Sequence, residues 1–226
     1  GHKVSELAIT GTVGKRNTGT RVRFWPDPKY FDAPKFSVSR LLHVLKAKAV
    51  LCPGLTVKFD DKVNEQSYSW CYIAGIRDYL VDAVKDCITL PEQPFVGSFA
   101  ASTEAVDWAV LWLPEGGELL TESYVNLIPT AQGGTHANGL RQGLLEALRE
   151  FCEFRNLLPR GIKLTPEDVW DRCAYILSLK MQEPQFAGQT KERLSSRQAS
   201  SFVSGVVKDS FSLWLNEHTE IAQALA

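Results

Sequence analysis

Two stretches decide the fold: Val106-Asp107-Trp108-Ala109-Val110-Leu111-Trp112-Leu113, and Gly133-Gly134-Thr135-His136-Ala137-Asn138-Gly139-Leu140-Arg141. In the first, Val106, Trp108, Val110 and Trp112 alternate, which puts all four on one face of a strand. The second joins a strand to a helix over about Asn138 to Asn156. There Leu140, Leu144, Leu145, Leu148, Phe151 and Cys152 recur at helical spacing, with Arg141, Arg149 and Glu153 off the stripe. A strand with one apolar face, followed by an amphipathic helix, implies sheet-on-helix packing and an α/β or α+β fold.

Outward from there the pattern holds. Phe95–Ala100, Ala105–Leu113 and Ser123–Pro129 read as three strands, Pro114–Glu118 as a turn and Ile76–Val84 as a short helix. Thr165-Pro166-Glu167-Asp168 is a helix start: a capping hydroxyl, Pro at the first position, then acids at the positive end of the dipole. Arg172–Met181 reads as a buried strand. Ser195-x-x-Gln198 reads as a capping box for a long last helix with an apolar face of Val203, Val207, Trp214 and Ile221. Toward the N-terminus, Ser5–Val13 and Thr20–Trp25 read as a hairpin around the loop Gly14–Gly19, stopped by Trp25-Pro26-Asp27-Pro28. Phe36–Ala49 reads as a helix with Val38, Leu41, Leu42 and Leu45 on one face. Leu55–Phe59 and Ser67–Tyr72 form a second hairpin. A boundary near Ala74-Gly75 divides the chain into 1–75 and 76–226.

The 226 residues are 44% hydrophobic and 23% charged, an ordinary globular composition that excludes disorder and collagen. No apolar run is long enough for a membrane helix, so no membrane partner is expected. A chain opening Gly1-His2-Lys3, with Met181 as its single Met, reads as a piece of a longer polypeptide. The net charge of −1 hides an asymmetry: residues 1–75 carry 12 basic and 6 acidic groups, residues 76–226 carry 13 and 20. That suggests two domains and a localised anion site, not a wholly basic nucleic-acid binder. Five widely spaced Cys without a C-x-x-C argue against a disulfide framework or a zinc site and for reduced thiols in a cytoplasmic protein.

Four places offer chemistry. Gly11-Thr12-Val13-Gly14-Lys15-Arg16 looks like a phosphate loop, but no Ser or Thr follows Lys15 and no helix follows the loop; a solvated hairpin tip is the plainer reading. Gly133–Arg141 opens a helix, where free N–H groups can hold an anion; the equal alternative is that the glycines serve only a tight turn, with His136 or Asn138 capping. His136 has no acidic or Cys partner at motif spacing. Gly188-Gln189-Thr190-Lys191-Glu192-Arg193 combines amide, hydroxyl and ammonium donors, which suits a polyphosphate, although composition alone describes an exposed polar loop. Glu104, Asp107, Glu115, Glu118 and Glu122 have no catalytic or metal-binding spacing and read as a solvated acidic face.

A longer text then becomes legible. Gly14-Lys15-Arg16-Asn17-Thr18-Gly19-Thr20 with Phe24-Trp25-Pro26-Asp27, Leu45-Lys46-Ala47-Lys48-Ala49, Pro114-Glu115-Gly116-Gly117-Glu118-Leu119-Leu120-Thr121-Glu122-Ser123, Gly133-Gly134-Thr135-His136, Gly139-Leu140-Arg141-Gln142-Gly143 and Pro184-Gln185-Phe186-Ala187-Gly188-Gln189-Thr190-Lys191-Glu192-Arg193-Leu194 together resemble the B subunits of bacterial topoisomerase IV and, more distantly, of DNA gyrase. The resemblance covers essentially the whole chain. It implies that residues 1–75 are the last part of an ATPase domain of the gyrase, Hsp90, histidine-kinase and MutL (GHKL) class. Residues 76–226 would be a transducer domain similar to ribosomal protein S5 domain 2, with a left-handed βαβ crossover and a final helix toward a metal-binding TOPRIM domain.

The same resemblance assigns residues. Lys191, with Gln189 beside it, is implied to reach the γ-phosphate of ATP, as catalytic and cofactor-binding groups. Thr20 is implied to lie by the adenine pocket, and Arg141 to line the cavity that holds the transported DNA duplex. The family's general base, its Mg²⁺-holding and adenine-binding residues and its ATP lid would precede Gly1, so no metal site is expected here and the chain alone should be inactive. The implied partners are the duplex, a ParC-type A subunit and a second B subunit on ATP binding. The parent enzyme would decatenate and relax DNA. A gyrase B origin, or a binding module with no nucleotide role, are the rival readings.

Overall fold

The computed structural model describes residues 4–32, 35–159 and 161–225. By packing, the chain forms two compact units, Gly1–Leu41 and Leu42–Ala226; the sequence division at 75/76 falls inside the second.

Before Ser37 the described residues of the first unit form neither helix nor strand. The expected hairpin of Ser5–Val13 and Thr20–Trp25 is therefore not formed. Its tip does turn, with Asn17 N donating to Gly14 O at 2.8 Å. The alternation read as a strand face is real, but Leu7, Ile9, Val13 and Val22 all remain exposed. Two strands alone are at best marginal in water; they need a third strand or a packed face. Within the unit Phe24 and Phe36 meet edge to face at 5.7 Å.

The second unit is built on a five-stranded sheet of β3 (Leu90–Ala100), β4 (Glu104–Trp112), β5 (Thr121–Val125), β6 (Ile128–Pro129) and β7 (Cys173–Met181). It is preceded by α1 (Val38–Leu51), the hairpin β1 (Val57–Asp61) and β2 (Gln66–Trp70), and α2 (Ile76–Ala83). The sheet order is β3-β4-β7-β5-β6. β4 pairs antiparallel with β7 from Glu104↔Met181 to Trp112↔Cys173, and β5 pairs parallel with β7. The connection between those parallel neighbours holds α3 (Thr135–Arg155) and α4 (Pro166–Trp170); α5 (Arg197–Glu217) and α6 (Thr219–Leu225) follow β7. The stretch read as one strand, Ser123–Pro129, is instead the tight hairpin β5–β6. Its loop residues Asn126 and Leu127 both have positive φ, the backbone that a two-residue hairpin turn demands.

Period-two alternation gives the sheet two apolar faces. Val106, Trp108, Val110, Trp112, Leu177 and Leu179 pack against α3 and α5, where the predicted Leu140–Cys152 stripe is buried throughout. Ala109, Leu111, Leu113 and Ile176 pack against α1 and α2. Each large side chain so buried contributes about 1.5–3 kcal/mol. Burial in α1 falls on Ala47, Ala49, Val50 and Leu51, while the predicted stripe of Val38, Leu41, Leu42 and Leu45 is only half-buried. The backbones of α3 and α5 come close: a Cβ on Gly139 would lie 2.5 Å from Ser200 O, and one on Gly143 2.7 Å from Ser204 O.

Helix ends follow local chemistry. The expected helix start at Thr165 forms, and Thr165 and Asp168 go further, closing a reciprocal capping box on α4, whose bonds hold the Asp168 carboxyl below its usual range. The capping box expected at Ser195 and Gln198 does not form. Ser196 is the N-cap of α5 and makes no side-chain cap bond, because its hydroxyl accepts from Gln185 N at 2.8 Å. The last helix is also interrupted, at His218.

Candidate anion site at the start of the third helix

Two of the segments singled out from the sequence lie against each other. The turn Gln132–Thr135 and the loop 184–196 are joined by backbone bonds: Gln132 N to Glu192 O at 2.9 Å, Leu194 N to Gly133 O at 3.1 Å and Thr135 N to Leu194 O at 3.1 Å. Side chains add Gln132 Nε2 to Glu192 Oε2 at 3.1 Å and Thr135 Oγ1 to Ser196 O at 2.7 Å. Gly134 makes the contact possible. Its φ is +133, and an added Cβ would fall 2.3 Å from Leu194 O, so both the backbone region and the space demand glycine. Gly134 is also the N-cap of α3, without a side-chain cap bond. Neither His136 nor Asn138 caps the helix.

His136 instead points inward. It is fully buried, with Nε2 3.1 Å from Thr130 Oγ1, and that hydroxyl also donates to Ser123 O at 2.8 Å. Burial pulls the imidazole pKa down to about 4, so His136 is neutral near pH 7 and fixes the end of β6 to the start of α3. It has the wrong charge and position for an anion ligand.

Arg141 lies one turn further on, at a cleft of about 300 Å³ whose walls include Gln132, Gly133, Asn138, Trp170 and Tyr175. Its guanidinium is 5.4 Å from the Trp170 ring centroid and Nη2 is 3.7 Å from Glu167 Oε1. Nε is buried without a hydrogen-bond partner. Trp170 is itself braced by Tyr175, with ring centroids 4.8 Å apart. Burial pushes the Tyr175 hydroxyl up to about 12, so it stays protonated. The cleft is thus a polar hollow with a single arginine held by stacking and charge. The sequence does not mark Glu167, Trp170 or Tyr175 as site residues. The helix start at Thr165 is legible, but nothing in the spacing of 141, 170 and 175 says that they meet.

Lys191 and Gln189 project from the loop beside this junction. Both are exposed. Lys191 has a left-handed φ of +58; its N donates to Gly188 O at 3.1 Å and its ammonium lies 5.9 Å from the Phe186 ring centroid. Among the described residues it makes no ion pair, so the donor set is open. Thr20 sits in the first unit, exposed and outside regular structure, as does the Gly14-Lys15-Arg16 loop. The carboxylates of 104–122 are not a uniform solvated face: Asp107 pairs with Lys180 at 3.5 Å, and Glu122 accepts from the hydroxyls of Tyr79 and Tyr124 at 3.3 and 2.5 Å. No cluster of metal-ligating side chains occurs among the described residues. No helix among them is long and apolar enough to cross a membrane, and all five cysteines are free.

Comparison with known proteins fits this architecture. Residues 75–226 match the family model described as DNA gyrase B, and the chain belongs to that family. Within it, the chain is 70% identical to the B subunit of DNA topoisomerase 4 from Escherichia coli K12 and 71% identical to that from Pseudomonas aeruginosa, over all 226 residues in each case. It spans 36% of the length of these relatives. Among solved structures, it is similar to the topoisomerase IV ATP binding domain of Francisella tularensis in complex with a small-molecule inhibitor. The TM-score is 0.82 and the identity 38%, over 97% of this chain and 59% of that one. It also resembles the 43K ATPase domain of Thermus thermophilus gyrase B in complex with an aminocoumarin, with a TM-score of 0.73 and 26% identity over 88% of this chain and 54% of that one.

Proposed function

We propose that this chain is part of the ATP-operated gate of a cytoplasmic bacterial topoisomerase IV. Residues 1–75 close a GHKL-type ATPase domain, and residues 76–226 form the transducer that links nucleotide state to duplex passage. The connection through α3 between β5 and β7 is then the left-handed crossover of the ribosomal protein S5 domain 2 type. The whole enzyme would decatenate and relax DNA with a ParC-type A subunit, and two B subunits would meet when ATP binds. What supports the reading most is the junction itself. The loop that presents Gln189 and Lys191 is hydrogen-bonded to the turn that starts the helix of Arg141.

The residues present fit a terminal phosphate, since Lys191 offers an ammonium free of carboxylates and Gln189 a neutral donor. ATP, when bound, supplies the hydrolysable phosphoanhydride, with Mg²⁺ held by residues outside this chain. Lys191 and Gln189 would hold the γ-phosphate through charge-assisted bonds of roughly 1.5–3 kcal/mol each. Thr20 would line the adenine side. When that anion leaves, Lys191 loses its partner, and the loop with its attached turn is free to take a second position, a two-state element biased by one group. Arg141 would contact duplex phosphates without reading sequence, as passage of any DNA requires.

Calorimetry on the complete subunit tests this. Lys191→Ala should weaken a non-hydrolysable ATP analogue about tenfold to a hundredfold while ADP affinity stays within about threefold, because ADP lacks the group that Lys191 touches. Matched losses for the two nucleotides would remove Lys191 from the γ-phosphate.

A further inference from the structure

The surroundings of Arg141 contain an anion already. Glu167 Oε1 lies 3.7 Å from Nη2 of Arg141. That is an ion-pair distance and not a hydrogen bond. The Arg141 guanidinium makes no hydrogen bond among the described residues, and its Nε is buried and unpartnered. The guanidinium is therefore kept in the cleft by the Trp170 face on one side and a loosely placed carboxylate on another, with its donors unused. Glu167 itself is 76% exposed at the side chain, so it can swing away at little cost. The neighbouring acid cannot take its place, because Asp168 is engaged by Thr165 in the capping box of α4.

We propose that Glu167 is an internal stand-in for a nucleic-acid phosphate: it occupies Arg141 while the cleft is empty and is displaced when a duplex phosphate oxygen enters. This rests on the reading of Arg141 as a duplex contact. A phosphate offers what Glu167 does not, acceptor oxygens close enough for two parallel N–H···O bonds with the guanidinium fork. The carboxylate lowers duplex affinity by competing, and it keeps Arg141 from capturing other anions. Because the pair is exposed, the competition is small and salt-sensitive.

The experiment measures affinity of the complete subunit for a short mixed-sequence duplex by fluorescence anisotropy at about 50 mM salt. Glu167→Gln should bind about threefold tighter than the wild type. Glu150→Gln, which removes a carboxylate paired with Lys208 at 2.6 Å on the same helix as Arg141, controls for net charge and should change affinity less. In an Arg141→Gln background the Glu167→Gln gain should vanish, the non-additivity expected of direct partners. An equal gain in both backgrounds, or no gain with Arg141 present, overturns the proposal and leaves the duplex contact standing. If Arg141→Gln alone leaves both affinity and salt slope unchanged, the duplex contact falls, and the role of Glu167 with it.

Discussion

The Arg141 cleft and the Lys191 loop share a hydrogen-bonded junction but are built in opposite ways. Arg141 extends from a 21-residue helix whose other face is buried, and its guanidinium meets Trp170, itself in contact with buried Tyr175. Lys191 and Gln189 stand on exposed backbone, with one distant ring for company. One site is preorganised by its own fold. The other is presented on exposed backbone, and on the proposed function its geometry would be completed by the bound phosphate. A group that must sense whether a phosphate is there gains from being unsatisfied without it, because its position then depends on the ligand.

Stability measurements can break or sharpen that contrast. The largest effect should come where the two regions are joined. Gly134→Ala forces a side chain into left-handed backbone and onto the Leu194 carbonyl, and should cost about 4 kcal/mol in denaturant unfolding; a loss under about 1 kcal/mol would mean that the junction is loose. Next comes His136, buried neutral beneath the cleft with its pKa near 4. The unfolded chain takes up a proton below about pH 6.5 and the folded one only below about pH 4. Stability should therefore fall with acidification through that window, by up to about 3 kcal/mol. His136→Leu leaves Thr130 its bond to Ser123, and should flatten that part of the pH profile. Trp170→Ala removes a half-buried ring from the cleft wall and should cost about 1.5–2 kcal/mol. Smallest of all, Lys191→Ala and Gln189→Ala should change stability by less than about 0.5 kcal/mol. A Lys191 variant that unfolds more than about 1 kcal/mol earlier would show the loop to be part of the packed structure, and the contrast would be lost.

How far the sequence revealed these regions depended on whether partners were local. The α3 stripe, the helix start at Thr165 and the β4 alternation involve neighbours in the chain, and each formed as read. The hairpins separate the cases. At 57–70, Asp61 accepts from Val63 N and Asn64 N within its own turn, and Phe59, Tyr68 and Trp70 stack along one face; at 5–25 the pattern of apolar residues is similar, but Leu7, Ile9, Val13 and Val22 stay exposed. Alternation names a face, not what lies against it. The candidate site residues divide in the same way. The segments of Gln189, Lys191 and Arg141 stood out by their donors, but the roles proposed for these three residues come only from the resemblance to a family. The Glu167–Arg141–Trp170 contact joins residues far apart in the chain, which no motif spacing encodes. The Ser195 capping box failed for a related reason: the neighbouring hydroxyl of Ser196 serves a bond from Gln185 across the loop.

The close seam between α3 and α5 has a mechanical consequence. With no side chains at Gly139 and Gly143 to act as a compliant layer, the two helices press backbone on backbone and resist sliding past each other, like two laths glued along their length. Each is about 30 Å long at 1.5 Å per residue. Such a bonded strut carries a tilt rather than absorbing it: a rotation of about 10° applied at the end beside loop 184–196 sweeps the far end through roughly 5 Å. Stiffness placed there would turn a local shift of that loop, of the kind proposed above, into a displacement a whole domain's width away.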